Sequence, residues 1–244
     1  TQYTYTQNDV RISREPGDRK RTQEETDALG RLRSVCAITS AGDGGSCGQD
    51  VAASGYLTSY VRNGRGQITQ VTQGAQTRSY KFDELGRLTQ ETNPESGTTQ
   101  YFFDADPSCS VTSAGDLARR LDANGNTTCY VYDKLHRAVE ISYPSGPNAS
   151  ATSTRYFVYD AATVDGVAMV DVAGKLAEAY TEDPSGRITD LGFSYPDVTA
   201  NEEDVYQLSP HSGGWYHSYA THQPNGALGS LVVPGVAANG YLDG

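Results

Sequence analysis

Residues 80–92 read Tyr80-Lys81-Phe82-Asp83-Glu84-Leu85-Gly86-Arg87-Leu88-Thr89-Gln90-Glu91-Thr92, and this stretch decides the fold. Tyr80 and Phe82 alternate with polar neighbours, Asp83 to Gly86 carries turn chemistry, and a second alternating run starts at Arg87. That is the pattern of a β-hairpin. The Asp83 side chain can accept from a backbone N–H two residues on, and Gly86 supplies the positive φ of a bulged loop. A three-residue loop of Glu84, Leu85 and Gly86 pairs Asp83 with Arg87 and sets Phe82 opposite Leu88. It places Tyr80, Phe82 and Leu88 on one face, and Lys81, Asp83, Arg87 and Thr89 on the other.

The unit recurs. Asn63 to Gly66 with Gln67-Ile68 keeps the frame, with Asn for Asp. Tyr132-Asp133 with Arg137 keeps it too, but His136 stands where glycine belongs. Asp27-x-x-Gly30-Arg31-Leu32 and Asp183-x-x-Gly186-Arg187-Ile188 retain the turn and second strand. Asp122 to Gly125 is a shorter copy, and Asp171 to Gly174 with Lys175-Leu176 a looser one. Asp-x-x-Gly alone is common turn chemistry. Seven copies, nearly all with Arg, Lys, Asn or Gln after the glycine, make an internal repeat.

These residues resemble the YD-repeat (RHS-repeat) family, in which Tyr-x-Tyr-Asp-x-x-Gly-Arg-Leu hairpins follow one another. The resemblance covers most of the chain, is most specific at 80–92 and 130–141, and is weak over 190–244. It implies an all-β fold of consecutive antiparallel hairpins forming a long curved or spiralling sheet, part of a hollow shell or of a β-assembly. Bacterial members, among them toxin-complex proteins, enclose a toxic C-terminal segment; the teneurins use a similar shell in adhesion. The resemblance supplies no catalytic residue, and the Asp-containing self-cleavage motif of some shells is not found.

The repeat runs without a linker, so residues 1–244 read as one region. Seventeen tyrosines against five phenylalanines and a mean hydropathy of −0.56 suit a thin sheet with partly wet faces. A net charge of −11 argues against nucleic acid as a partner. Residues 11–21 hold a basic run, but acidic residues interrupt and flank it. No apolar run is long enough to span a bilayer.

Cys36, Cys47, Cys109 and Cys129 are an even count without Cys-x-x-Cys spacing. Zinc is disfavoured; unpaired thiols or two disulfides in an exported protein remain. Sequence permits three pairings, and the local one, Cys36 with Cys47 and Cys109 with Cys129, is adopted. With the family resemblance it places the protein outside a bacterial cell or on its surface. The start at Thr1, without Met or signal peptide, reads as a mature or excised piece. Strand patterns at both ends suggest adjoining repeats of the same or an identical chain, joined by strand addition.

Along the chain, a strand is expected at 1–12, the first Gly-Arg-Leu hairpin half within 20–39, and strands near 56–62, 67–73, 76–83, 87–92, 98–104, 117–121, 126–133, 137–143, 154–160, 175–181, 187–195, 203–208, 214–221 and 227–233. Residues 41–48 are too glycine-dense for a strand interior and read as a hairpin tip, lacking the lysine and helix of a phosphate loop. Residues 104–116 read as an insertion stapled by Cys109, without the ligand spacing of a calcium loop. A short turn is expected within 161–170, and no helix.

No G-x-S-x-G elbow occurs, and the histidines at 136, 211, 217 and 222 sit at or beside turns. Adjacent acids at 182–183 and 202–204 point apart on a strand, unlike a glycosidase pair. Trp215 and Tyr216, flanked by His211 and His217, could form a sugar-stacking platform, or simply another aromatic strand after a Gly-Gly turn. The expectation is therefore a non-enzymatic structural protein without cofactor or metal. An adhesin or carbohydrate-binding module is the alternative.

Overall fold

A computed structural model describes residues 2–6, 9–13, 21–39, 54–195, 202–232, 235–236 and 242–243. Backbone contacts group into two compact units, Thr1–Tyr101 and Phe102–Gly244. The sequence reads as one region. The division falls inside a strand, at no linker.

The first unit is an antiparallel meander. Its strands are β1 (Gln2–Thr6), β2 (Asp9–Ser13), β3 (Arg21–Thr26), β4 (Leu32–Thr39), β5 (Ser54–Arg62), β6 (Ile68–Gln73), β7 (Gln76–Phe82), β8 (Leu88–Asn93) and β9 (Gly97–Asp106), which crosses the division. Each pairs with the next. Residues 1–12, expected as one strand, are instead two: Tyr5 pairs with Val10, and Tyr3 with Ile12. Alternation alone cannot reveal where a strand folds back on itself. The expected hairpin tip at 41–48 lies outside the described residues.

The second unit opens with the end of β9 and continues through β10 (Val111–Leu121), β11 (Thr127–Tyr132), β12 (Ala138–Ser145) and β13 (Thr154–Tyr159). A small two-stranded piece follows, β14 (Thr163–Val164) with β15 (Val167–Ala168). The meander resumes with β16 (Leu176–Asp183), β17 (Gly186–Ser194), β18 (Glu202–Leu208), β19 (Tyr216–His222) and β20 (Leu228–Val232). β13 pairs directly with β16, skipping the small piece. Short strands β21 (Gly235–Val236) and β22 (Leu242–Asp243) pair with each other.

Two expectations change here. Residues 104–116 are stapled at Cys109 as expected, but they are not an insertion: β9 and β10 run through them and turn at 107–110. Asp104, at φ 70°, accepts from the Gly115 N–H at 2.7 Å, so an irregular ladder position replaces a break. The segment after Tyr159 holds the β14–β15 piece, and the one helical turn among the described residues is at 149–151. No described helix is long and apolar enough to cross a membrane.

The core is thin, as the tyrosine-rich composition predicts. Buried Gln23, Glu25, Thr99, Asp106, Glu178 and Asp190 accompany the buried Cys36, Val111, Ala118 and Cys129. Buried polar groups need partners. Glu25 accepts from the Ser34 hydroxyl at 3.1 Å, and Asp106 from Arg119 Nε at 2.9 Å. Cys109 and Cys129 form a disulfide with Cα atoms 5.5 Å apart, tying the β9–β10 turn to β11. Cys36 is disulfide-bonded too; Cys47, its expected partner, lies outside the described residues.

Candidate functional site

The turns of the repeat carry the most concentrated side-chain chemistry. At 83–87 the Asp83 N–H donates to the Arg87 carbonyl and the Gly86 N–H to the Asp83 carbonyl, both at 3.0 Å. Asp83 Oδ1 accepts from the Arg87 N–H at 2.8 Å, and Oδ2 from Arg87 Nε at 2.7 Å. Gly86 sits at φ 85°, where a Cβ is disfavoured. Phe82 lies opposite Leu88, and the register then slips so that Lys81 faces Gln90. That slip is a β-bulge, which breaks simple two-residue alternation.

The same bonds recur at Asp27, Gly30 and Arg31, where Oδ1 accepts from the Leu29 and Arg31 N–H groups, each at 2.9 Å. Asn63 reproduces them with Gln67, its Nδ2 donating to Gln67 Oε1 at 2.9 Å, and Gly66 closes the loop. Asp122 does so with Asn126 around Gly125. At 133–137 His136 takes the glycine position at φ 61°, and Asp133 still grips Arg137. His136 Nδ1 meets Asp116 Oδ2 at 2.7 Å, an added contact at a position costly for a side chain.

Two copies differ from their sequence reading. At 183–186 the loop has two residues: Asp183 pairs with Gly186, and Glu182 with Arg187. Arg187 turns away from Asp183 to meet the buried Glu178 and Asp190, lying 3.8 Å over the Tyr180 ring. Two desolvated carboxylates attract a guanidinium more strongly than one wet one. Burial, with the Asp190 charge second, pushes the Glu178 carboxyl up despite Arg187.

The second is Asp171, which does not take the turn position ahead of Gly174. Asp160 takes it. The Asp160 N–H donates to the Lys175 carbonyl at 3.2 Å, its Oδ1 accepts from the Gly174 N–H at 2.7 Å, and Tyr159 faces Leu176. This is the repeat hairpin with residues 161–173 inserted into its loop. The insertion folds back, burying Val164, Met169 and Val172 against Ala177, with Tyr195, Tyr206 and Trp215 packed around them. Gly192 is the floor: a Cβ there would lie 2.8 Å from Val164 Cβ.

One copy escapes the consensus altogether. The Gln223 N–H donates to the Ala227 carbonyl at 2.7 Å and the Gly226 N–H to the Gln223 carbonyl at 2.8 Å, with His222 opposite Leu228. Only Gly226 and Leu228, at the usual spacing, signal it in the sequence.

Neighbouring turns are joined sideways. In the first unit Gln67 Nε2 donates to the Gly86 carbonyl at 2.8 Å, and Arg65 reaches the Glu84 carbonyl. In the second unit Arg137 Nη2 bonds Asp160 Oδ2 at 2.6 Å, clasping the closed turn to the opened one. Hydrogen bonds to Arg31, Arg87 and Arg137 hold Asp27, Asp83 and Asp133 below the usual carboxylate range; at Asp83 they outweigh a larger opposing effect of burial. The Trp215 indole packs on the inserted segment, and the Tyr216 hydroxyl donates to the Ser212 carbonyl at 2.9 Å.

Residues 62–99 match the RHS Repeat family. The matched span runs from the Asn63 turn through the Asp83 turn, two of the turns held by Asp or Asn side-chain bonds. No curated protein matches the chain in sequence. Among solved structures, TcdB2-TccC3 without its hypervariable C-terminal region is similar with a TM-score of 0.57 at 14% identity, covering 87% of this chain and 11% of that one. The Photorhabdus luminescens Tc holotoxin pore is similar at 0.52 and 13% identity, with the same coverage. At such identity the likeness is one of fold: RHS-type antiparallel hairpins, all-β throughout. The chain spans about a tenth of the length of these structures.

Proposed function

We propose that the chain is a non-enzymatic segment of wall, one stretch of a single RHS-repeat region in a longer bacterial protein that is secreted or held at the cell surface. The wall would enclose a cargo polypeptide, such as a C-terminal toxin segment. The observation that carries this reading is the fold likeness to TcdB2-TccC3 over 87% of the chain. The sideways bonds from the Asn63 turn to the Asp83 turn and from the Asp133 turn to Asp160 support it, since they fasten hairpin to hairpin rather than shape a reactive cleft.

β20 supports a contact with further repeats of the same or an identical chain. All five of its residues are exposed, and Leu228 and Leu231 are each 56% exposed. Among the described residues β20 pairs only with β19, and the free N–H and C=O groups along such an edge are a template for pairing. If separate copies meet there by strand addition, a filament results in place of a shell. Cryo-electron microscopy of the native parent protein tests the reading. A closed shell with density inside is expected; an open sheet would overturn the wall role, and end-to-end copies would replace it with the filament. Sedimentation over a wide concentration range checks self-association of this chain.

A further inference from the structure

Glu178 and Asp190 form a buried acidic pair on one face of the second unit. The register sets Glu178 opposite Gly192 and Tyr180 opposite Asp190, so the two carboxylates are diagonal neighbours on β16 and β17. They are 5% and 2% exposed. Arg187 Nη1 donates to Glu178 Oε1 and to Asp190 Oδ2. Oxygens that reach the same nitrogen are close to each other. Two carboxylates against one guanidinium leave one negative charge over, where little water can answer it.

A second observation points to something held between them. Asp190 Oδ1 is buried and accepts from no donor. Such an oxygen costs free energy until a donor meets it. The elements packed around it bring none. Tyr180 lies beneath the Arg187 guanidinium and stacks on Tyr156, which faces Glu140. From β18, Leu208 faces Asp190 and Tyr206 faces Gly192. Tyr206 stacks on His217, which meets Asp204, and the charge of Asp165 acts on Tyr206 from the inserted segment. Lys175 is held over the Tyr195 ring. Arg187 and Asp190 are the charges that bear on Glu178; burial, and then the Asp190 charge, push its carboxyl up against the pull of Arg187.

We propose that Glu178 and Asp190 hold one proton between them, carried by the Glu178 carboxyl and donated to Asp190 Oδ1, and that this proton keeps the inserted plug seated. It supplies the donor that Oδ1 lacks and cancels the surplus charge, so that two acids and one arginine are together neutral. Gly192 joins the pair to the plug: it lies opposite Glu178, two residues from Asp190, and Val164 stands on it. Ala177, next to Glu178, belongs to the same apolar cluster as Val164. Loss of the proton leaves a bare negative charge beside that cluster, which is relieved by admitting water along the floor of the plug. The device is a latch, closed in acid and loosened as pH rises through the titration of the pair. It does not rest on the wall role, and its failure would leave that role untouched.

The test is a pH titration of the whole chain, labelled with carbon-13 at the side-chain carboxyls of aspartate and glutamate and followed by NMR, with Trp215 emission read in parallel. Glu178 is expected to titrate above the exposed glutamates, and the Asp190 carbon to shift in the same step, because one proton serves both. Trp215, packed on the plug, should shift its emission to the red across that step. Glu178→Gln keeps a donor toward Asp190 without a titrating group, so its emission should stay constant over that range. Asp190→Asn removes the like charge and should lower the Glu178 titration from its wild-type position. A Glu178 step that coincides with the exposed glutamates, an Asp190 carbon that stays still through it, or a wild-type emission that does not move overturns the proposal. So does a red shift that survives Glu178→Gln, which would belong to His211 or His217 instead. Should Asp190→Asn fail to fold, the two wild-type carbon titrations decide alone.

Discussion

The hairpin at 80–92 and the hairpin from Phe157 to Tyr180 are the same device, closed in one place and opened in the other. Both set an aspartate beside a glycine and a basic residue, and both place an aromatic ring opposite a leucine two residues past the glycine. In the first, Asp83 finds Arg87 four residues away. In the second, Asp160 finds Gly174 fourteen residues away, with an apolar plug filling the gap in sequence. The hairpin is thus defined by the Asp–Gly contact and the register beyond it, not by loop length. Loop entropy grows slowly with length, so a long insertion is tolerated when it buries something.

The largest test closes the opened hairpin. Replacing residues 161–173 with Glu-Leu writes Asp160-Glu-Leu-Gly174-Lys175-Leu176, the loop of 83–88. The register Tyr159 opposite Leu176 should persist, because the hairpin geometry remains. Losing the burial of Val164, Met169 and Val172 should nonetheless cost roughly 4 kcal/mol, after about 1 kcal/mol regained from the shorter loop. Urea unfolding reads the loss, and red-shifted emission of Trp215, the only tryptophan, reads the uncovered face. A stable variant with unshifted emission would mean that the plug packs on nothing that matters.

Gly192→Val is next, expected to destabilise by about 2 kcal/mol because its side chain would displace Val164 from the floor of the plug. The same substitution placed in the short variant should cost far less, since nothing then sits above Gly192. Equal costs in the two backgrounds would break the link between the glycine and the insertion.

Gly86→Val and Gly174→Val put a β-branched residue at φ 85° and φ 76°, and each should cost about 1 kcal/mol or more. Similar losses in denaturant melts would show the closed and opened loops obeying one backbone rule. Leu85→Val, at a position 77% exposed, should stay within about 0.5 kcal/mol. A Leu85→Val loss equal to that of Gly86→Val would mean the closed turn is drawn wrongly.

The smallest effect is in pH. Asp83 and Asp160 have folded-state pKa values below the ordinary 3.8, so their contribution is present above that pH and fades as pH falls through it. Glu178 is shifted the other way, above 4.5. Its folded form takes up a proton more readily than the unfolded chain, so its contribution weakens as pH rises through the region above 4.5. Wild type compared with Asp83→Asn should therefore gain relative stability with rising pH, and compared with Glu178→Gln should lose it. Slopes of the same sign in thermal melts between pH 3 and 7 would contradict the distinction.

How much was legible beforehand follows from the reach of each contact. Strands from 54 to 143, the three-residue loop at 84–86 and the pairing of Phe82 with Leu88 could be read directly, because alternation and Asp-x-x-Gly act within five residues. The Gln223 loop escaped, since its backbone keeps the geometry without the Asp or Asn that marks the others. The Asp160 hairpin escaped although Tyr159-Asp160 carries the usual opening pair, because Asp171 offers a nearer and equally plausible partner to Gly174. The double bond from Asp83 to Arg87 was half-read: the backbone pairing was plain, but not that the guanidinium closes the turn.

The sequence by itself determined that this is a repeating antiparallel sheet, because each hairpin is specified by its own few residues. It also determined a thin and partly polar core, because tyrosine, threonine and glutamine fill the strands. Only the tertiary structure decided which aspartate meets Gly174, why Arg187 leaves its own turn, and why position 192 must be bare. Those outcomes rest on competition between groups far apart in the chain. A buried pair of carboxylates outbids a wet one for an arginine, and a plug needs a floor whose shape no local pattern encodes.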